Sequence, residues 1–180
     1  ERLNDFSDFI LTHYQASANN WHSLSAKALK QVQVASQLKA NDLYRQAQEA
    51  SNKTSADVAL NATQSAASLY AQAENGYQLA LRFIDKNVPL KKKMRELLAA
   101  SIYFQSQQLK ASQPMAAVHH LLRLGKQVPN SRYQLNAKFE AANLLLEQQQ
   151  WQRAITEFLS FQKHYPTHEF SQSIPAKLAQ

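Results

Sequence analysis

Chemistry in a protein needs nucleophiles, acids, bases or metal ligands held together, and this chain offers few. His119 and His120 are adjacent, so on a helix their side chains point about 100° apart, a poor arrangement for chelating one metal. They read as one surface histidine and one partly packed. His164 and His168 have the i, i+4 spacing that suits zinc on a helix, but Pro166 lies between them and should end the helix there. With no cysteine, neither a disulfide framework nor a thiolate metal site is possible. Carboxylates are few and scattered, against a buried acid–base pair, and no Gly-rich phosphate loop or Ser–His–acid set is visible. The sequence reads as non-enzymatic, with no metal and no cofactor.

Charge is the next candidate. The run "KNVPLKKKMRE", Lys86 to Glu96, offers a basic patch of Lys91, Lys92, Lys93 and Arg95 that could meet nucleic acid or another anionic surface. Its plainer reading is a solvated helix start just after Pro89, with the three lysines facing water. Cations there oppose the helix dipole, so the run is not a stability device. The net charge of +7 is uneven: residues 1–75 hold six Lys/Arg against seven Asp/Glu (−1), residues 76–180 fourteen against six (+8).

The elements behind these residues are helices. Only two glycines, Gly76 and Gly125, occur in 180 residues, against a dozen or so at the usual frequency of about 7%. Ala, Leu and Gln, all helix formers, make up two fifths of the chain. No apolar run approaches the roughly 18 residues of a membrane span. Three segments then repeat: "YQLALRFI" (Tyr77 to Ile84), "PMAAVHHL" (Pro114 to Leu121) and "WQRAITEF" (Trp151 to Phe158), each starting 37 residues after the last. The fourth position is Ala80, Ala117 and Ala154; the fifth is aliphatic (Leu81, Val118, Ile155); the eighth is large and apolar (Ile84, Leu121, Phe158). These positions share one helical face, and a recurrent small residue on it marks a close helix crossing. Pro129 and Pro166 follow the later two alanines by twelve residues, and Pro89 comes three residues early after the first. Each match predicts the second helix of a hairpin stopped by proline. The first helices are "ALNATQSAASLYAQAE", "MRELLAASIYFQSQQLK" and "YQLNAKFEAANLLLEQ". A fixed period of this size is the mark of a solenoid whose units stack on their neighbours.

Residues 134–170 resemble the tetratricopeptide repeat through Leu145, Trp151, Ala154, Phe158 and Pro166. Residues 98–133 match it moderately and 61–97 weakly; the run from Phe158 to Gln180 is similar to the variety found in bacterial envelope proteins of the TolA-binding and outer-membrane-assembly lipoprotein types. The small residue the family favours in its first helix is Ser68, Gln105 and Ala142 here, and Gln105 should push its hairpin slightly open. The resemblance implies an all-α, right-handed solenoid of antiparallel helical hairpins. It also implies a non-enzymatic scaffold holding a peptide or partner helix in a concave groove, in the bacterial periplasm or envelope; the cytoplasm is the alternative compartment. The lining would be Ala99, Ile102, Ser106, Leu109 and Lys110 in one unit, and Asn136, Phe139, Asn143, Leu146 and Glu147 in the next. A basic array binding nucleic acid or another anionic polymer, and a structural spacer, are the alternatives to a protein or peptide partner.

Residues 1–60 also read as helix, a cap or degenerate repeats. Leu3, Phe6, Phe9, Ile10 and Tyr14 form one stripe, and Trp21, Leu24, Ala28, Val32 and Ala35 another. "DLYRQAQEA" imitates a second helix through Tyr44 and Ala47. The expected organisation is residues 1–60 as this region, 61–170 as three repeats of about 37 residues, and 171–180 as the start of a further helix in a piece of a longer array.

Overall fold

A computed structural model of the chain describes residues 2–15, 24–52, 56–84 and 86–179, and of these it leaves the side chains of 2–4, 6, 14, 15 and 56–64 undescribed. Trp21 and the side chains of Leu3, Phe6 and Tyr14 therefore lie outside the described residues. The described residues are all-α: α1 (Arg2–Gln15), α2 (Ala26–Ser51), α3 (Ala56–Arg82), α4 (Val88–Leu109), α5 (Pro114–Gln127), α6 (Gln134–Glu147), α7 (Trp151–His164) and α8 (Glu169–Leu178). None of these helices is long and apolar enough to cross a membrane. Packing divides the chain into two compact units, Glu1–Ile102 and Tyr103–Gln180, with the division inside α4.

In the first unit α2 and α3 run antiparallel along their length. Tyr77 donates to the Asn41 side chain at 2.9 Å, and the Tyr44 and Tyr70 rings meet edge to face at 5.4 Å. Ser25 caps α2 by accepting from the Ala28 N–H. The facing residues are small, with Ala40, Ala47, Ala73 and Ala80 fully buried. The hairpin expected between residues 59 and 84 is absent, because α3 continues unbroken through Tyr77. Gly76, inside α3, serves a close crossing. A Cβ there would fall 2.8 Å from the Ala40 Cβ and 3.2 Å from the Ser36 carbonyl oxygen. α1 lies on this pair through Ile10, which joins Val32 and Ala35 in a small core flanked by Leu79 and Phe83. Phe9 departs from the expected stripe and is exposed, its ring stacked on His13.

In the second unit α5 packs on α6, α6 on α7 and α7 on α8, and its backbone repeats. The Val128 N–H donates to Leu124 at 2.8 Å, and Tyr165, 37 residues on, to Phe161 at 2.9 Å. The same offset relates Ser131 to Val128 (3.4 Å) with His168 to Tyr165 (3.2 Å), and Gln134 to Ser131 (3.1 Å) with Ser171 to His168 (2.9 Å). Val128 and Tyr165 end their helices at nearly one conformation, φ −131°, ψ 69° and φ −132°, ψ 58°. Each precedes a proline, which pushes the preceding residue out of the helical region. α7 thus stops at His164, so His164 and His168 do not share a helix, and no group of three or more metal-binding side chains gathers among the described residues. Ala117, Ala154, Leu121 and Phe158 are fully buried, as the period predicts. Pro175 sits inside α8 and cannot supply the N–H that the Ser171 carbonyl would accept; the Gln162 side chain donates to that oxygen instead, at 3.2 Å.

Candidate interaction surface

The predicted lining residues divide by burial. Ala99, Ile102 and Ser106 are fully buried and line no open groove. From Leu98 to Ile102 α4 reads "LAASI" and every residue is buried; a helix with no polar side has no face to give to solvent. Its hydroxyls are satisfied locally, Ser101 donating to the Leu97 carbonyl and Ser106 to that of Tyr103. Gln105, also buried, has its side-chain oxygen bonded by Arg123 at 3.3 Å, which offsets the burial of an amide at that crossing.

The remaining positions keep access to solvent. Leu109, Lys110, Asn143 and Leu146 are half-buried, and Asn136 and Glu147 are exposed. Phe139 is half-buried because α8 covers it: its ring stacks on Phe170 with centroids 4.4 Å apart and packs against Phe161 at 5.3 Å, and the Lys177 ammonium lies 5.8 Å from its centre. Asn143 donates to the Phe139 carbonyl at 3.0 Å, which fixes its amide on the outer side of α6.

Between these residues the second unit carries a polar seam, of which the lining prediction named only Lys110. Glu140 on α6 accepts from the Tyr103 hydroxyl at 2.9 Å through one oxygen and from the Gln107 amide at 2.6 Å through the other. Lys110 adds an ion pair at 3.7 Å. Burial, then the neighbouring Glu140 charge, raises the Tyr103 pKa well above the ordinary tyrosine value. The Tyr103 ring stacks on Tyr133 at 5.2 Å, and Arg132 covers the Tyr133 ring at 4.8 Å. Tyr103 and Glu140 are 37 residues apart, so they occupy one position in successive repeats. Aligning the first helices by the period would have paired them.

A second open surface lies on α7. Trp151, Ile155 and Leu159 recur four residues apart and are 52%, 37% and 53% exposed. The sequence reading placed Ile155 on the packed face, as its counterpart Val118 is on α5, where that residue is fully buried. The basic run behaves as a solvated helix start: Asn87 caps α4 by accepting from the Leu90 N–H at 3.0 Å, Lys92, Lys93 and Arg95 are exposed and Lys91 is half-buried. His119 is exposed and His120 half-buried, the latter bonded by Arg123.

Compared with models of protein families, with curated proteins and with solved structures, the chain matches none.

Proposed function

We propose that the chain is a non-enzymatic protein-interaction module of the tetratricopeptide type, a right-handed stack of helical hairpins that holds an extended peptide or partner helix along its first-helix face. The observation that carries this reading is the recurrence, 37 residues on, of the backbone hydrogen bonds that end α5 and α7 and turn the chain into the next helix. A repeated corner sets successive helices side by side and so builds an extended surface. On that surface the open groups of α4 and α6 mix short apolar side chains (Leu109, Leu146) with amides and charges (Asn136, Asn143, Lys110, Glu147), a mixture suited to a peptide with both backbone and side-chain groups to satisfy. The bacterial envelope is the proposed setting, on the resemblance of the run from Phe158 to Gln180 alone.

A second reading places the partner on α7. Its support is the exposed stripe of Trp151, Ile155 and Leu159, because tryptophan is enriched among residues that dominate binding energy.

Selection of binders from a displayed random-peptide library, followed by affinity measurement on variants, tests both. The double variant Asn136→Ala, Asn143→Ala should weaken the selected peptides at least about tenfold, with helix content unchanged. Loss instead through Trp151→Ser and Leu159→Ser would transfer the function to α7. Failure to select any saturable binder would remove the interaction reading.

A further inference from the structure

A cleft of about 420 Å³ opens in the first unit where the start of α2, the end of α3 and the first turn of α4 converge. Its size falls within the roughly 300–1,000 Å³ of small-ligand pockets. One wall is apolar, made by Leu29, Phe83 and Leu90, all half-buried. Phe83 also packs on the Ile10–Val32–Ala35 core, so that wall is backed by fixed structure. The rim carries Lys30, Arg82 and Lys86, all exposed, and no carboxylate lines the cleft among the described residues. The ion pairs among those residues join Lys39 to Asp8, Arg45 to Asp42 and Glu49, and Lys110 to Glu140. None uses a rim cation. In sequence the surplus continues past the cleft, with six Lys/Arg against one Asp between Arg82 and Arg95. Three cations from three segments around an apolar wall focus positive potential at its mouth and leave the wall itself without a polar task.

We propose that this cleft binds a single-chain amphiphilic anion. The carboxylate or phosphate head meets Lys30, Arg82 and Lys86, and the alkyl chain lies on Leu29, Phe83 and Leu90. The site is separate from the first-helix face of the second unit and stands or falls independently of it.

Calorimetric titration of the full chain with acetate, hexanoate, octanoate and decanoate, each kept monomeric, tests the proposal. Affinity should rise roughly three- to fourfold per added methylene, the equivalent of about 0.8 kcal/mol each, until the cleft is filled. The neutral alcohol of the same length should bind at least about tenfold more weakly. The double variant Arg82→Gln, Lys86→Gln should lower decanoate affinity at least about tenfold, whereas Lys92→Gln with Lys93→Gln, outside the cleft, should change it less than about twofold. Both pairs are exposed, so each variant should keep the parent helix content. Decyl phosphate should compete with decanoate for one site per chain. Equal losses from the two lysine and arginine pairs, binding that ignores chain length, or binding to phosphatidylglycerol vesicles without saturable binding of monomeric decanoate would each overturn the proposal, the last replacing it with a surface attraction for anionic membranes.

Discussion

The α2–α3 pair and the α6–α7–α8 corner solve one problem, burying helices against each other, in opposite ways. The first brings backbones together: Ala40 faces Gly76 so closely that one added methyl group would collide, and Ala47, Ala66, Ala73 and Ala80 continue the thin seam. The second packs short helices of 14, 14 and 10 residues around rings. Phe139, Phe158, Phe161, Tyr165 and Phe170 form a connected aromatic cluster. A seam of small residues tolerates long, uninterrupted helices, whereas ring packing suits short helices that proline can end and a period can repeat. The 37-residue offset is accordingly a property of the second unit's corners and fades in the first.

The comparison breaks most visibly at a ring. Phe161→Ala should cost roughly 3–5 kcal/mol, because its fully buried ring touches Phe139, Tyr165, His168 and Phe170. Leu159→Ala, two residues away on the exposed side, should stay within about 0.5 kcal/mol. Chemical denaturation followed by circular dichroism reads both, and equal effects would mean that α7 does not present the faces described.

A smaller effect separates the two glycines. Gly76→Ala should destabilise by roughly 1–3 kcal/mol through overpacking, despite the better helix propensity of alanine. Gly125→Ala, whose new methyl would meet its nearest neighbours at 3.7–3.8 Å, should be neutral or stabilise by up to about 1 kcal/mol. Thermal melts should show the Gly76→Ala midpoint lowered and the Gly125→Ala midpoint unchanged or raised. At the repeat crossing, Ala117→Leu should cost roughly 1–3 kcal/mol at a fully buried site, with Ala111→Leu, exposed after α4, almost without effect.

The smallest effect is a titration. Tyr77 and Tyr103 sit in different units, yet burial raises the pKa of both hydroxyls above the ordinary 10.0, with Tyr44 beside the first and Glu140 beside the second adding to it. Unfolding returns these groups to ordinary tyrosines, so their contribution is fully present below about pH 10 and is lost as pH rises above it toward their folded values. Phenolate absorbance should therefore show Tyr77 and Tyr103 ionising only well above pH 10, and stability should fall over that range. Tyr77→Phe and Tyr103→Phe should each blunt the fall.

How legible this was depends on how local each cause is. The all-α class follows from scarce glycine and abundant helix formers, and the ends of α5 and α7 from Pro129 and Pro166, which act on the residue beside them. The continuity of α3 was hidden because the 37-residue alignment starts a second helix at Tyr77, while Ala40, which requires Gly76, lies 36 residues away. The lining was half legible. The resemblance implied an open side of α6 carrying Asn136, Asn143 and Glu147, which do keep access to solvent, but it could not reveal that Ala99, Ile102 and Ser106 lie where α4 is covered all round. Phe139 looked like an exposed anchor until Phe170 closed over it. The Tyr103–Glu140 bond was available from the period, since the partners differ by 37 in number.

That bond tests most directly the claim that residues one repeat apart lie side by side in the second unit. A double-mutant cycle with Tyr103→Phe and Glu140→Gln, measured by denaturant unfolding at neutral pH, should return a coupling of roughly 1–2 kcal/mol, as expected for a half-buried hydrogen bond to a charged group. Additivity within about 0.3 kcal/mol would contradict it, because residues 37 apart in sequence couple only if the fold brings them into contact.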